Sequence, residues 1–143
     1  MSEIYRTSID IEAPPEQVFE YFIDPALLVR WMGDVARLEA TSGGTFSVDI
    51  NGVLIRGHFV RVERPTLIEI AWGEAGNEAM PPGATRLRVT FEARGALTHV
   101  ELEHSGLVPA EATKHAVGWP LYIARLAVAA RGQDPGPDPW KPR

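Results

Sequence analysis

The chain has 143 residues, 45% of them hydrophobic and 23% charged, which suits one soluble domain with a sizeable core and leaves no length for a second. A formal net charge of −5 and the lack of any basic run argue against nucleic acid as a partner, since that binding rests on clustered Lys and Arg neutralising phosphates. The absence of cysteine excludes a disulfide framework, thiol catalysis and thiolate metal sites, and no segment approaches the ~20 consecutive apolar residues of a membrane span.

The first residues carry neither the basic n-region nor the apolar h-region of a secretory signal, so a cytoplasmic protein is expected. "IYRTSIDIEA" alternates Tyr5, Thr7, Ile9 and Ile11 with Arg6, Ser8, Asp10 and Glu12, the period-two pattern of a half-buried strand. Pro14–Pro15 ends it. "EQVFEYFID" then places Val18, Phe19 and Phe22 at helical spacing behind a proline suited to a first turn. Asp24–Pro25 pairs a favoured N-cap with a favoured N1 residue, so "DPALLVRWMG" reads as a second short helix closed by Gly33.

A meander of strands follows. "VARLEA" leads into "GGTFSVDI", with Phe46, Val48 and Ile50 on one face, and Asn51–Gly52 is a strong signal for a tight hairpin. In "VLIRGHFVRVE" the apolar phase shifts after Phe59, which predicts a bulge or bend there. "TLIEIAWG" sets Ile68, Ile70 and Trp72 on one side; "TRLRVTFEA" sets Leu87, Val89 and Phe91 against Arg86 and Arg88, the latter read as a solvated face. In "THVELEH" the residue His104 shares a face with Val100 and Leu102, opposite His99.

The segment from Gly73 to Ala84, rich in Gly and Pro, reads as a flexible connection at an opening of the sheet. From Pro109 to Arg131 a long helix is predicted, with Trp119, Tyr122, Ile123, Leu126 and Ala130 on one face and Gly132 as its stop. Residues 1–132 are expected to form a single domain. Residues 133–143 should form an extended, proline-rich tail whose Trp140 docks on its own chain or a partner.

The order strand, two short helices, antiparallel meander and long final helix resembles the helix-grip fold of the START-like (SRPBCC) superfamily. "FEYFIDPALLVRWMG", "GGTFSVDI", "LIEIAW", "VELEHSGL" and "GWPLYIARL", in that order, resemble the signatures of the family named for the activator of the heat-shock protein 90 ATPase, over roughly residues 8 to 131. The resemblance implies an α+β fold in which a curved antiparallel sheet wraps the C-terminal helix and leaves a cavity between them. Pro120 departs from the pattern. A proline inside a helix removes a hydrogen bond and crowds the preceding turn, so a kink that helps shape a pocket wall is expected.

Within that frame the candidate ligand-binding residues are Trp31, Phe46, Phe59, Trp72, Leu87, Val89, His104, Trp119, Tyr122, Ile123 and Leu126. For any one aromatic among them core packing is the favoured reading, whereas together, in a fold that leaves a cavity, they favour a pocket. His104 is either a polar group for a ligand or a base, or a histidine satisfied within the strand end; strand alternation and helical spacing bring it towards Trp119. His58, His99, His104 and His115 lack metal-ligand spacing, "HSG" is not a nucleophile elbow, and Gly43–Gly44 is a turn rather than a phosphate loop. No metal, cofactor or catalytic group is therefore expected. The function expected is binding of a small hydrophobic or aromatic molecule, with a homodimer possible in principle for so small a domain. Two alternatives follow from the resemblance: a co-chaperone-like interaction module, and an enzyme of polyketide-cyclase type.

Overall fold

A computed structural model describes residues 3–137; Trp140, and with it the expected docking of that ring, lies outside them. The elements run β1 (Glu3–Ile11), α1 (Pro15–Ile23), α2 (Pro25–Leu28), β2 (Val35–Leu38), β3 (Thr45–Ile50), β4 (Val53–Glu63), β5 (Leu67–Glu74), β6 (Thr85–Arg94), β7 (Leu97–Leu107) and α3 (Pro109–Ala129). Seven strands form one antiparallel sheet in the order β1-β7-β6-β5-β4-β3-β2. The direct connections of the meander, two residues long at β3–β4 and β6–β7, keep sequence neighbours side by side, while β1 crosses to pair with β7. This is the α+β helix-grip architecture.

Local chemistry sets the turns. The Asp24 carboxylate accepts from the Ala26 amide and caps α2. Asn51 and Gly52 both take positive φ (48° and 88°), which the tight β3–β4 turn requires. The pairing of β4 with β5 slips between Phe59 and Arg61, so the phase shift in the sequence corresponds to a bulge. Gly57 stands in register between Phe46 on β3 and Trp72 on β5. A Cβ there would come within 1.7 Å of the Ala71 carbonyl oxygen, so the strands can approach this closely only at a glycine.

One face of the sheet, α1 and the inner face of α3 share a continuous apolar core that includes Phe19, Phe22, Trp31, Phe46, Phe59 and Leu126. Its rings meet largely edge to face: Phe22 lies 5.0 Å from Trp31 and 5.3 Å from Phe91. Polar contacts tie the layers. Trp31 donates to the Tyr21 carbonyl at 2.9 Å, and Gln17 takes up the Ala130 carbonyl at the end of α3 at 2.6 Å.

Two expectations need correction. The Gly73–Ala84 segment is a tied turn: Glu74 donates to the Met80 carbonyl, Asn77 to that of Glu74 and Met80 to that of Asn77, and the Met80 side chain is buried. The anchoring methionine is what a reading based on Gly and Pro content misses. Pro120, in turn, does not form a wall. Helix α3 runs through it without interruption, and both Pro120 and Ala116, whose carbonyl loses its helical partner, lie on the exposed side. Water can satisfy that carbonyl, so the proline sits where its cost is least.

The candidate binding cavity

His104 and Trp119 do meet. His104 is fully buried, and Trp119 Nε1 donates to its Nδ1 at 3.1 Å. An indole nitrogen can only donate, so Nδ1 carries the lone pair and the proton of the neutral imidazole is on Nε2. That proton goes to Thr85 Oγ1 at 2.8 Å, and the Thr85 hydroxyl passes its own to the Trp72 carbonyl at 2.7 Å. Burial, with a smaller contribution from neighbouring His115, pushes the His104 pKa down to about 2. The ring is neutral, both its nitrogens are occupied, and it has nothing left to offer a ligand.

The cavity lies beside this network, between the first half of α3 and the β3–β5 end of the sheet. Its volume is about 210 Å³. Ile50, Val53, Ile55 and Met32 form one wall, Trp72 and Met80 a second, and the α3 residues Glu111, Lys114, His115, Gly118, Trp119 and Tyr122 the third, with Glu74 completing the lining. Trp72 and Trp119 stand 5.3 Å apart.

Of the residues singled out from the sequence, Trp72, Trp119 and Tyr122 line this cavity. Trp31, Phe46, Phe59, Leu87, Val89, Ile123 and Leu126 are packed in the core behind it, and His104 forms its buried backing. The α3 residues that sequence reasoning missed had a legible signal: 111, 115, 118, 119 and 122 recur at the helical i, i+4, i+7 spacing that selected Trp119 and Tyr122. Met32 and Met80 had none, since each comes from a turn.

The polar part of the lining is tightly organised. The Glu111 carboxylate is buried and one of its oxygens accepts from both Asn77 Nδ2 and Lys114 Nζ, each at 3.2 Å. This ties the β5–β6 turn to α3. The Glu111 carbonyl accepts from His115 Nδ1 at 2.7 Å; a carbonyl cannot donate, so the proton of neutral His115 is on Nδ1 and Nε2 carries the lone pair. Burial lowers the His115 pKa against the opposing pull of that carbonyl, which favours the neutral ring. The Trp72 indole N–H is the buried side-chain polar group without a partner among the described residues. An orphaned donor of this kind costs about 1–3 kcal/mol. Among the described residues no group of three or more His, Asp or Glu is placed to hold a metal ion, and no helix is long and apolar enough to cross a membrane.

A curved antiparallel sheet gripping a long C-terminal helix defines a helix-grip protein of the START-like class. The chain belongs to the family described as activator of Hsp90 ATPase homolog 1-like protein, whose model matches residues 12–131. The AHSA1-like protein of Rhizobium etli shares 35% identity over 100% of this chain and 91% of its own, with a TM-score of 0.76. An HSP90 activator from Plasmodium falciparum shares 21% identity over 88% of this chain and 94% of its own, with a TM-score of 0.72. The Aha1 dimer of Colwellia psychrerythraea shares 19% identity over 90% and 96%, with a TM-score of 0.77; these last two likenesses are of fold. No curated protein matches the chain.

Proposed function

We propose that this protein binds a small, mainly apolar or aromatic molecule in the cavity between α3 and the β3–β5 end of the sheet. The observation that carries this is a space of about 210 Å³ walled by Trp72, Trp119, Tyr122, Met32 and Met80. A dry cavity of ~150 Å³ is enough to hold benzene, so the bound part is one or two rings in size. Methionines give such a wall some adaptability, because the unbranched thioether repacks around different shapes. The absence of cysteine suits the cytoplasm as the place where this binding occurs.

Native mass spectrometry of freshly purified protein, with a thermal-shift titration of naphthalene, tests the reading. A retained small molecule or a concentration-dependent rise in Tm supports it. Protein that carries nothing and whose melting does not respond to naphthalene overturns it.

Family membership favours a second reading, a co-chaperone-like interaction module, since the Plasmodium falciparum neighbour is an HSP90 activator. Its contact surface would draw on Val117 and Leu121, which are exposed one turn apart on α3. Pull-down of the chaperone, lost on Val117→Asp/Leu121→Asp, is its test. A homodimer, as in the Colwellia psychrerythraea relative, would be detected by light scattering. The enzyme reading has less to rest on: no Ser or Thr lines the cavity among the described residues, and Lys114 is held by Glu111.

A further inference from the structure

Two polar atoms of the cavity lining remain to be matched by a ligand, and they are of opposite kinds. Trp72 contributes a buried N–H that has no acceptor. His115 contributes a lone pair on Nε2, because its Nδ1 proton is committed to the Glu111 carbonyl. Both residues line the cavity and both neighbour Trp119, whose ring centroid is 5.3 Å from that of Trp72 and 6.5 Å from that of His115. The charges of the lining are the carboxylates of Glu74 and Glu111 and the ammonium of Lys114, and the ammonium is bonded to Glu111. An anion entering here would meet carboxylates and no uncommitted cation among the described lining residues, whereas a neutral molecule would meet no such opposition.

We infer that the cavity selects a neutral aromatic hydroxy compound, one that donates its O–H to His115 Nε2 and accepts from Trp72 Nε1, over both the bare hydrocarbon and the corresponding carboxylate. This rests on the binding reading above and adds the ligand's polarity. The hydrocarbon leaves the Trp72 donor orphaned. The carboxylate satisfies that donor but brings a charge that the wall does not balance.

Isothermal titration of the full chain with naphthalene, 2-naphthol and 2-naphthoate at neutral pH tests it. The expected order is 2-naphthol tighter than naphthalene by fivefold or more, with 2-naphthoate weakest. His115→Leu and Trp72→Phe should each remove most of the naphthol preference, read as the ratio of 2-naphthol to naphthalene affinity within the same variant; His115→Leu, at a partly buried helical position, serves if the buried tryptophan variant fails to fold. If naphthalene binds but 2-naphthol binds no tighter, if 2-naphthoate is preferred, or if the preference survives His115→Leu, this inference falls and the apolar cavity stands. If none of the three binds, both fall.

Discussion

Trp119 gives its indole proton to His104 across the gap between α3 and β7, at 3.1 Å, with both rings buried. The pair joins the helix to the sheet through a polar chain that continues to Thr85 and the Trp72 backbone, and the cavity is built against it.

Removing His104 should therefore act on stability. His104→Ala leaves the Trp119 N–H without its acceptor and opens space behind the cavity, so a loss of about 3 kcal/mol or more is expected in urea denaturation. Trp119→Phe keeps most of the apolar volume but strands the His104 lone pair, at about 1–3 kcal/mol. A change under about 0.5 kcal/mol, the precision of such measurements, in either variant would contradict the network described.

Stability should fall on mild acidification. The folded-state pKa of His104 is depressed to about 2 from an unfolded value near 6.5, so below that value the unfolded chain takes up a proton that the native state refuses. The contribution is fully present above pH ~6.5 and is lost progressively as pH falls towards 2. Between pH 7.5 and 5.0 this amounts to about 2 kcal/mol from His104, with His115, shifted the same way, adding to it. Equilibrium unfolding at the two pH values checks the sign. Stability that is flat or rises over this interval would mean that His104 ionises freely in the fold.

Glu111 should matter for the β5–β6 turn more than for overall stability. Replacing a buried carboxylate by an apolar side chain is often neutral when its partner can return to water, and Lys114 is largely exposed already. Glu111→Leu should change the unfolding free energy by less than about 1 kcal/mol. It should also speed amide exchange at Met80 and Glu74 at least tenfold, because Asn77 loses its hold on α3. Unchanged exchange at those two amides would show that the backbone bonds of the turn suffice.

Arg125 makes the complementary tie at the far end of α3. Its Nε donates to the Trp31 carbonyl at 2.9 Å, and Nη1 serves the carbonyls of Pro135, Gly136 and Pro137. Arg125→Met keeps the stem packed and removes the donors, so a loss of about 1–2 kcal/mol and faster proteolytic cleavage after Gly132 are expected. Equal cleavage rates in the two proteins would show that the tail is held by something else.

Much of the architecture was legible because period and punctuation are local. Alternation in β1 and β5–β7, the Asp24–Pro25 cap, the Asn51–Gly52 turn and the phase shift at Phe59 each specify a backbone conformation from neighbouring residues alone. The same alternation turned His104 inward and helical spacing turned Trp119 to meet it. The sequence had left open whether His104 faces a ligand or the fold; that depended on Thr85, nineteen residues away and brought alongside only by the β6–β7 register. The cavity wall was likewise decided in three dimensions. Met32 and Met80 come from turns with no periodicity to read, and Glu111 becomes a tether only when Asn77 is folded against it. Pro120 illustrates the same limit from the other side: its cost depends on whether the carbonyl it abandons faces water, and only the docking of α3 on the sheet determines which face that is.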